Sequence, residues 1–361
     1  MIRRPMDAGT STKKVLDLKL RNPAIEPLIA MFGKRIVGQP EATDVLANMV
    51  ETYLSGLTDP TKPAGNALFL GPTGTGKTRT VEAMCEGLVG NPQACIKIDC
   101  AEFQLDHEIA KLVGSPPGYL GHRETPPLLT QKNLDQYWKP GFELSVVLFD
   151  EIEKASDTLW KIMLGILDKA TLTLGTNEKV NFSKVLIIMT SNLGGADMQK
   201  VLSGGYGFSV KTKEEEVSDD KNKEIATNAA RKHFTPEFMN RIDNLVVFHV
   251  LTREHVRQIM NIELGLIQSL MFNRRQVLFQ VTPAAKEILM KEGYSVEFGA
   301  RNMKRAIEQR VRIPLARLIS STQVEPGDCV VIDEVGAKEF QYSIEKLVGN
   351  PIKFTDTDNI L

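Results

Sequence analysis

The stretch Ala67–Thr78, ALFLGPTGTGKT, decides the fold. A short apolar run, ALFL (67–70), leads directly into Gly71-Pro72-Thr73-Gly74-Thr75-Gly76-Lys77-Thr78, and a helical pattern, RTVEAMCEGL, follows. G-x-x-x-x-G-K-[ST] set between a strand and a helix builds a phosphate cradle. Its glycines let backbone N–H groups wrap phosphate oxygens, and the helix N-terminus adds positive potential. Lys77 is placed to reach the β- and γ-phosphates of a nucleoside triphosphate, and the Thr78 hydroxyl to ligate Mg2+.

Two further strand ends complete the chemistry. Ser145–Glu151, SVVLFDE, is an apolar strand that finishes in two acids. Asp150 is suited to hold the Mg2+ shell, through water, and Glu151 to polarise an attacking water. Val185–Asn192, VLIIMTSN, ends in polar residues, of which Asn192 is placed to orient water between Glu151 and the γ-phosphate. With Leu245–Phe248 and Ile96–Ile98, the apolar runs at 67–70, 146–149 and 185–189 make five strands alternating with helical stretches such as Glu41–Leu57 and Thr158–Lys169. That alternation predicts an α/β three-layer domain with a mostly parallel five-stranded sheet and ligands at the strands' carboxyl ends.

Beyond about residue 248 the pattern changes. Helical segments near 252–272, 283–292 and 299–320 are joined by strand-like runs at 277–281, 329–332 and 340–344, which predicts a small α+β domain. The expected organisation is an arm (1–27), a large domain (28–248), a small domain (249–345) and a tail (346–361). A chain of 361 residues can hold that many units. A formal net charge of −1 argues against a global field for holding nucleic acid. No apolar run reaches membrane-span length and the N-terminus lacks a signal-peptide core, so a cytoplasmic protein with no membrane partner is expected. Cys95 and Cys100, an odd offset apart on a strand-like run, face opposite ways, and the histidines lack ligand spacing; no protein-ligated metal site is expected.

These elements, in this order, resemble AAA+ ATPases, of the P-loop NTPase class. Further motifs resemble the C-terminal ATPase module of the Clp-type unfoldases and disaggregases over about residues 28–345. Arg35-Ile36-Val37-Gly38-Gln39 is similar to the family's leading segment, whose apolar residues (here Ile36 and Val37) contact adenine. Gly114-Ser-Pro-Pro-Gly118-Tyr119-Leu120-Gly121 resembles the substrate-gripping pore loop. Phe234–Asp243, FTPEFMNRID, resembles the segment with the arginine finger, here Arg241. Phe298-Gly299-Ala300-Arg301 resembles the segment in which Ala300 adjoins the nucleotide and Arg301 senses its γ-phosphate.

The resemblance implies ATP and Mg2+ as cofactors, hydrolysis at subunit interfaces of a homo-oligomeric ring, a hexamer, and protein clients threaded past Tyr119. An arginine supplied in trans leaves no subunit catalytically complete alone; its alternative is a surface ion pair with Glu237 or Asp243. Gly175–Phe182, GTNEKVNF, departs from the second pore-facing loop of the family by lacking its arginine. Tyr206-Gly207-Phe208 is similar to the tripeptide that docks a barrel-shaped peptidase, with tyrosine in place of the usual aliphatic residue. A peptidase or adaptor is one reading of that loop and local packing the other. Because few residues precede the module, a single-ring motor is expected. The alternatives are an assembly ATPase acting on one dedicated partner complex and, further off, a nucleic-acid motor.

Overall fold

The ALFL run is the centre of β1 (Gly65–Leu70). The other strands are β2 (Ile96–Asp99), β3 (Ser145–Asp150), β4 (Thr171–Thr173), β5 (Lys179–Asn181), β6 (Val185–Ser191), β7 (Asn244–Val247), β8 (Leu278–Val281), β9 (Asp328–Val335) and β10 (Glu339–Lys346). The computed structural model describes residues 17, 20–115, 126–202, 219–295, 298–335 and 339–346. Five strands form one parallel sheet in the order β2-β3-β6-β1-β7. This is the predicted α/β sheet, and every expected strand is present.

Parallel register brings the reactive strand ends to one edge. Asp99 pairs with Asp150, and Leu70 pairs with both Ser191 and Val247. Along each strand, alternate residues enter opposite cores, as the two-residue period demands. Leu68, Val147, Phe149, Ile187 and Val247 enter one core, whereas Phe69, Val146, Leu148, Ile188 and Val246 enter the other. The helix Asp157–Lys169 covers the first face through Leu159, Met163 and Ile166; helices Pro40–Leu54 and Lys77–Val89 cover the second. Leu46 is fully buried there, remote from the strand ends. Leu46→Ala is expected to cost about 2–5 kcal/mol, read as a lower urea midpoint at unchanged slope.

A third core joins the helices Arg253–Arg275, Pro283–Gly293 and Ala300–Ile307 to the sheet β10-β9-β8. The helix expected over 299–320 is broken. It runs Ala300–Ile307, widens to a π turn over Glu308–Arg312, and resumes as Ile313–Ser320. Pro314 is the cause, because it has no N–H for the Arg310 carbonyl four residues earlier. The Tyr342 hydroxyl on β10 donates to that carbonyl at 2.7 Å.

The expected arm also needs correction at its end. Asn22 caps a helical turn, Pro23–Ile25, that leads into Glu26–Arg35, and Ile25 is fully buried. The Asn-Pro start signal sits there in the sequence and is a helix cap. β4 and β5 form a hairpin, and the Gly175 N–H at its tip donates to the Val113 carbonyl at 2.8 Å. The hairpin tip therefore touches the end of the helix Ala110–Val113. Gly118, Tyr119, Leu120 and Gly121, and likewise Tyr206, Gly207 and Phe208, lie outside the described residues. No helix among the described residues is long and apolar enough to cross a membrane.

Candidate active site

A cavity of about 330 Å³ opens at the carboxyl edge of the sheet, between the glycine loop and the helix that starts at Ala300. It is lined by Thr73–Thr78, Ile36, Val37, Asp150, Glu151, Asn192, Ala300 and Arg301. Gly71 and Pro72 stand just behind it. The sequence-predicted nucleotide residues are thus brought together, with Arg241 outside.

The loop is held from both sides. Gln39, 3% exposed, donates through Nε2 to the Thr75 carbonyl (3.3 Å) and the His249 carbonyl (3.0 Å), and accepts the His249 N–H at 3.0 Å. The Ala300 N–H donates to the Gly74 carbonyl at 3.1 Å, which fastens the small domain to the loop. At Gly74, φ is +78°, and a Cβ would stand 2.3 Å from the Phe298 carbonyl oxygen. At Gly299, φ is +53°, and a Cβ would stand 2.7 Å from the Gly74 oxygen. Gly74→Ala is therefore expected to cost about 1–3 kcal/mol in backbone strain alone. It should also force the two segments apart, lowering both the melting temperature and nucleotide affinity in a fluorescent-nucleotide titration.

Lys77 opens the helix Lys77–Val89, directly after Gly76 in the left-handed region. The residue is 7% exposed, and its ammonium donates to the carbonyls of Gly71 (2.7 Å) and Pro72 (2.9 Å) and to Asn192 Oδ1 (2.9 Å). Burial pushes its pKa down to about 8, against the charges of Glu153, Asp150 and Glu151, which raise it. A buried cation held on exchangeable carbonyl oxygens, at a helix N-terminus, is built to accept an anion.

Thr78 Oγ1 lies 3.3 Å from both carboxylate oxygens of Asp150. Thr190 donates to Asp150, and Lys97 forms an ion pair with it at 2.9 Å. Burial raises the Asp150 carboxyl, but hydrogen bonds from Thr190, Lys97 and Thr78 outweigh it and hold the group below the usual carboxylate range. A hydroxyl and an ionised carboxylate that converge on one point beside the cavity are the donor set Mg2+ takes.

Glu151 follows at φ +57°, left-handed for a residue with a Cβ. The Thr190 hydroxyl accepts its N–H at 3.1 Å, so one threonine steadies both acids. Lys154 forms an ion pair with the Glu151 carboxylate. Asn192 Nδ2 donates to Glu151 Oε1 at 3.1 Å while its Oδ1 receives Lys77. One amide thus spans the lysine and the acid.

Arg301 lines the cavity and makes no ion pair among the described residues. Arg241 points elsewhere. It pairs with Glu237 at 3.0 Å and with Asp168 at 3.5 Å, whereas Asp243 accepts instead from Asn66 Nδ2 at 2.7 Å. Motif reading missed Lys97, Thr190 and Glu153. Thr190 stood in the quoted MTSN run, but nothing local distinguishes it from Ser191.

Comparison with known proteins agrees with this architecture. The family model described as AAA domain (Cdc48 subfamily) matches residues 62–245, and the C-terminal, D2-small domain of ClpB protein matches residues 251–332. The ATP-dependent Clp protease ATP-binding subunit ClpC of Staphylococcus saprophyticus is 37% identical over 311 residues, covering 86% of this chain and 36% of the relative. ClpC of Staphylococcus aureus (strain USA300) is 36% identical over 329 residues, covering 90% of this chain and 39% of the relative. The chain thus spans well under half the length of these relatives. A cryo-EM structure of Hsp104 in a closed state, with ATPγS and FITC-casein, superposes with a TM-score of 0.73 at 31% identity. It covers 90% of this chain and 53% of that one. The loop, the acid-tipped strand and the small domain that closes over them have one shared meaning: the chain belongs to the AAA domain family.

Proposed function

We propose that this chain is an ATP-hydrolysing subunit of a homo-hexameric ring that unfolds or remodels proteins by drawing them through its axial channel. The observation that carries the catalytic half is the hydrogen-bonded run Lys77–Asn192–Glu151 across one cavity. In this reading the ATPase domain runs from the helical turn at Pro23 to residue 248, and 249–345 form the lid.

Ile36 and Val37 form the apolar end of the cavity that takes adenine, and the loop 71–78 binds the phosphates. Thr78 and Asp150 would hold Mg2+, Asp150 through water; the ion supplies neutralisation of phosphate charge when bound. Glu151 accepts the proton of the attacking water, and Asn192 orients that water while keeping Lys77 and Glu151 in register. Arg301 reads the γ-phosphate from the lid, so loss of that phosphate changes the lid's angle. Arg241 stabilises the transferred phosphoryl in the neighbouring subunit.

The protein-handling half is supported by the relatives, ClpC and an Hsp104 imaged with casein. Tyr119, between Gly118 and Gly121, is assigned to grip extended chains through its aromatic face without demanding a sequence. Tyr206-Gly207-Phe208 is assigned to a peptidase or adaptor. The test is to compare Tyr119→Ala with the unaltered chain on a fluorescent unfolding substrate. ATPase activity should persist while unfolding drops by about tenfold or more, the scale of a lost aromatic anchor. Unfolding at the unaltered rate would remove threading by this loop.

A further inference from the structure

Glu153 gathers contacts that the motifs do not explain. Its Oε1 accepts the backbone N–H of Asn192 at 3.1 Å. Its Oε2 is buried and has no hydrogen-bond partner. Its own carbonyl accepts from His233 Nε2 at 3.1 Å, one residue before the segment that carries Arg241. Lys154, its neighbour, pairs with Glu151 and not with Glu153.

Leaving a carboxylate oxygen dry and unpaired is costly, and native proteins carry few such groups. The compensation lies in what the other oxygen holds. Asn192 stands just past the end of β6, beyond the sheet's ladder, so its N–H has no strand partner. The bond to Glu153 fixes that N–H, and with it the direction in which the Asn192 amide leaves the backbone. That amide must lie between Lys77 Nζ at 2.9 Å and Glu151 Oε1 at 3.1 Å. Tilting the backbone would break one of the two contacts.

We propose that Glu153 is a positioning residue of the nucleotide site, holding Asn192 so that its amide spans Lys77 and Glu151. The inference rests on the ATPase reading above. Glu153 touches neither phosphate nor water in this role; it acts through Asn192.

The test uses the full chain, assembled, as Glu153→Ala and Glu153→Gln. For Glu153→Ala the expected loss in kcat is about 10- to 100-fold, the scale of a misplaced catalytic group. Affinity for fluorescent ADP should change by less than about threefold, which marks a loss confined to turnover. Glu153→Gln keeps an oxygen that can accept the Asn192 N–H and should restore most of the rate. In an Asn192→Ala background, Glu153→Ala should add little further loss, because the two residues act as one unit. An unaltered kcat in Glu153→Ala overturns the inference, as does a parallel fall in kcat, affinity and melting temperature. Equal impairment of the alanine and glutamine variants overturns it too, since charge and not the hydrogen bond would then be responsible. An unaltered chain that binds ATP without hydrolysing it refutes the ATPase reading and takes this inference with it. An active chain with an active Glu153→Ala refutes the inference alone.

Discussion

Arg241→Ala is expected to lower the steady-state ATPase rate of the assembled chain by about 10³–10⁵-fold while nucleotide affinity stays near that of the unaltered chain. Every other residue assigned to the nucleotide lines or backs one cavity; Arg241 does not. It stands apart, at the end of a short helix, held by Glu237 and Asp168. Partly exposed ion pairs of this kind contribute about 0–1 kcal/mol, so the guanidinium is readily exchanged to an adjacent phosphate, which its planar fork suits. Mixing separates this role from a structural one. In the proposed ring, Arg241→Ala alone and Glu151→Gln alone should both be inactive. In mixed rings, an Arg241→Ala subunit retains Glu151, and an adjoining Glu151→Gln subunit offers it Arg241. Activity should therefore return on mixing. A mixture as inactive as its components would place Arg241 in its own subunit's chemistry, or in none.

The residues legible in the sequence are those whose role is written locally. Lys77 and Thr78 follow a strand in a fixed pattern, and Asp150 and Glu151 end one; a strand end at the carboxyl edge needs no knowledge of its neighbours. Lys97 and Thr190 reach Asp150 by another route, the parallel register. Lys97 projects from β2 because Asp99 pairs with Asp150, and Thr190 approaches because β6 runs beside β3. Register is set by the whole sheet, so no window of sequence displays it. Glu153 was hidden differently: an acid in a polar turn reads as solvated until its burial is seen. The break at Pro314 lay in plain view, but the periodicity of the flanking apolar residues, Ile307, Val311 and Leu315, continues across it. Hydrophobic spacing alone thus carries a helix through a proline that the hydrogen bonds do not tolerate.

Glu151→Gln should show the second large effect, a fall in turnover of about 10²–10⁴-fold, with ATP still bound. The substitution is nearly isosteric. A glutamine oxygen can still accept from Asn192 Nδ2, and neither the Lys77 contacts nor the Thr78–Asp150 pair involves Glu151. What disappears is the negative charge that can take a proton from water, together with the ion pair to Lys154. That second loss needs its own control, because freeing Lys154 places a cation near the phosphates and could by itself tighten binding. Lys154→Ala supplies the control: it removes the ion pair and keeps the acid, so its rate should stay within about tenfold of the unaltered chain, as befits a partly exposed pair. Lys77→Ala provides the opposite contrast, since it removes the buried cation and should abolish binding before chemistry is reached. If Glu151→Gln retained more than about a tenth of the rate in a single-turnover assay, a general base worth its usual 10²–10⁴ could not reside there. The proton would then have to leave through Asp150 or Glu153, the other carboxylates whose charge reaches Lys77.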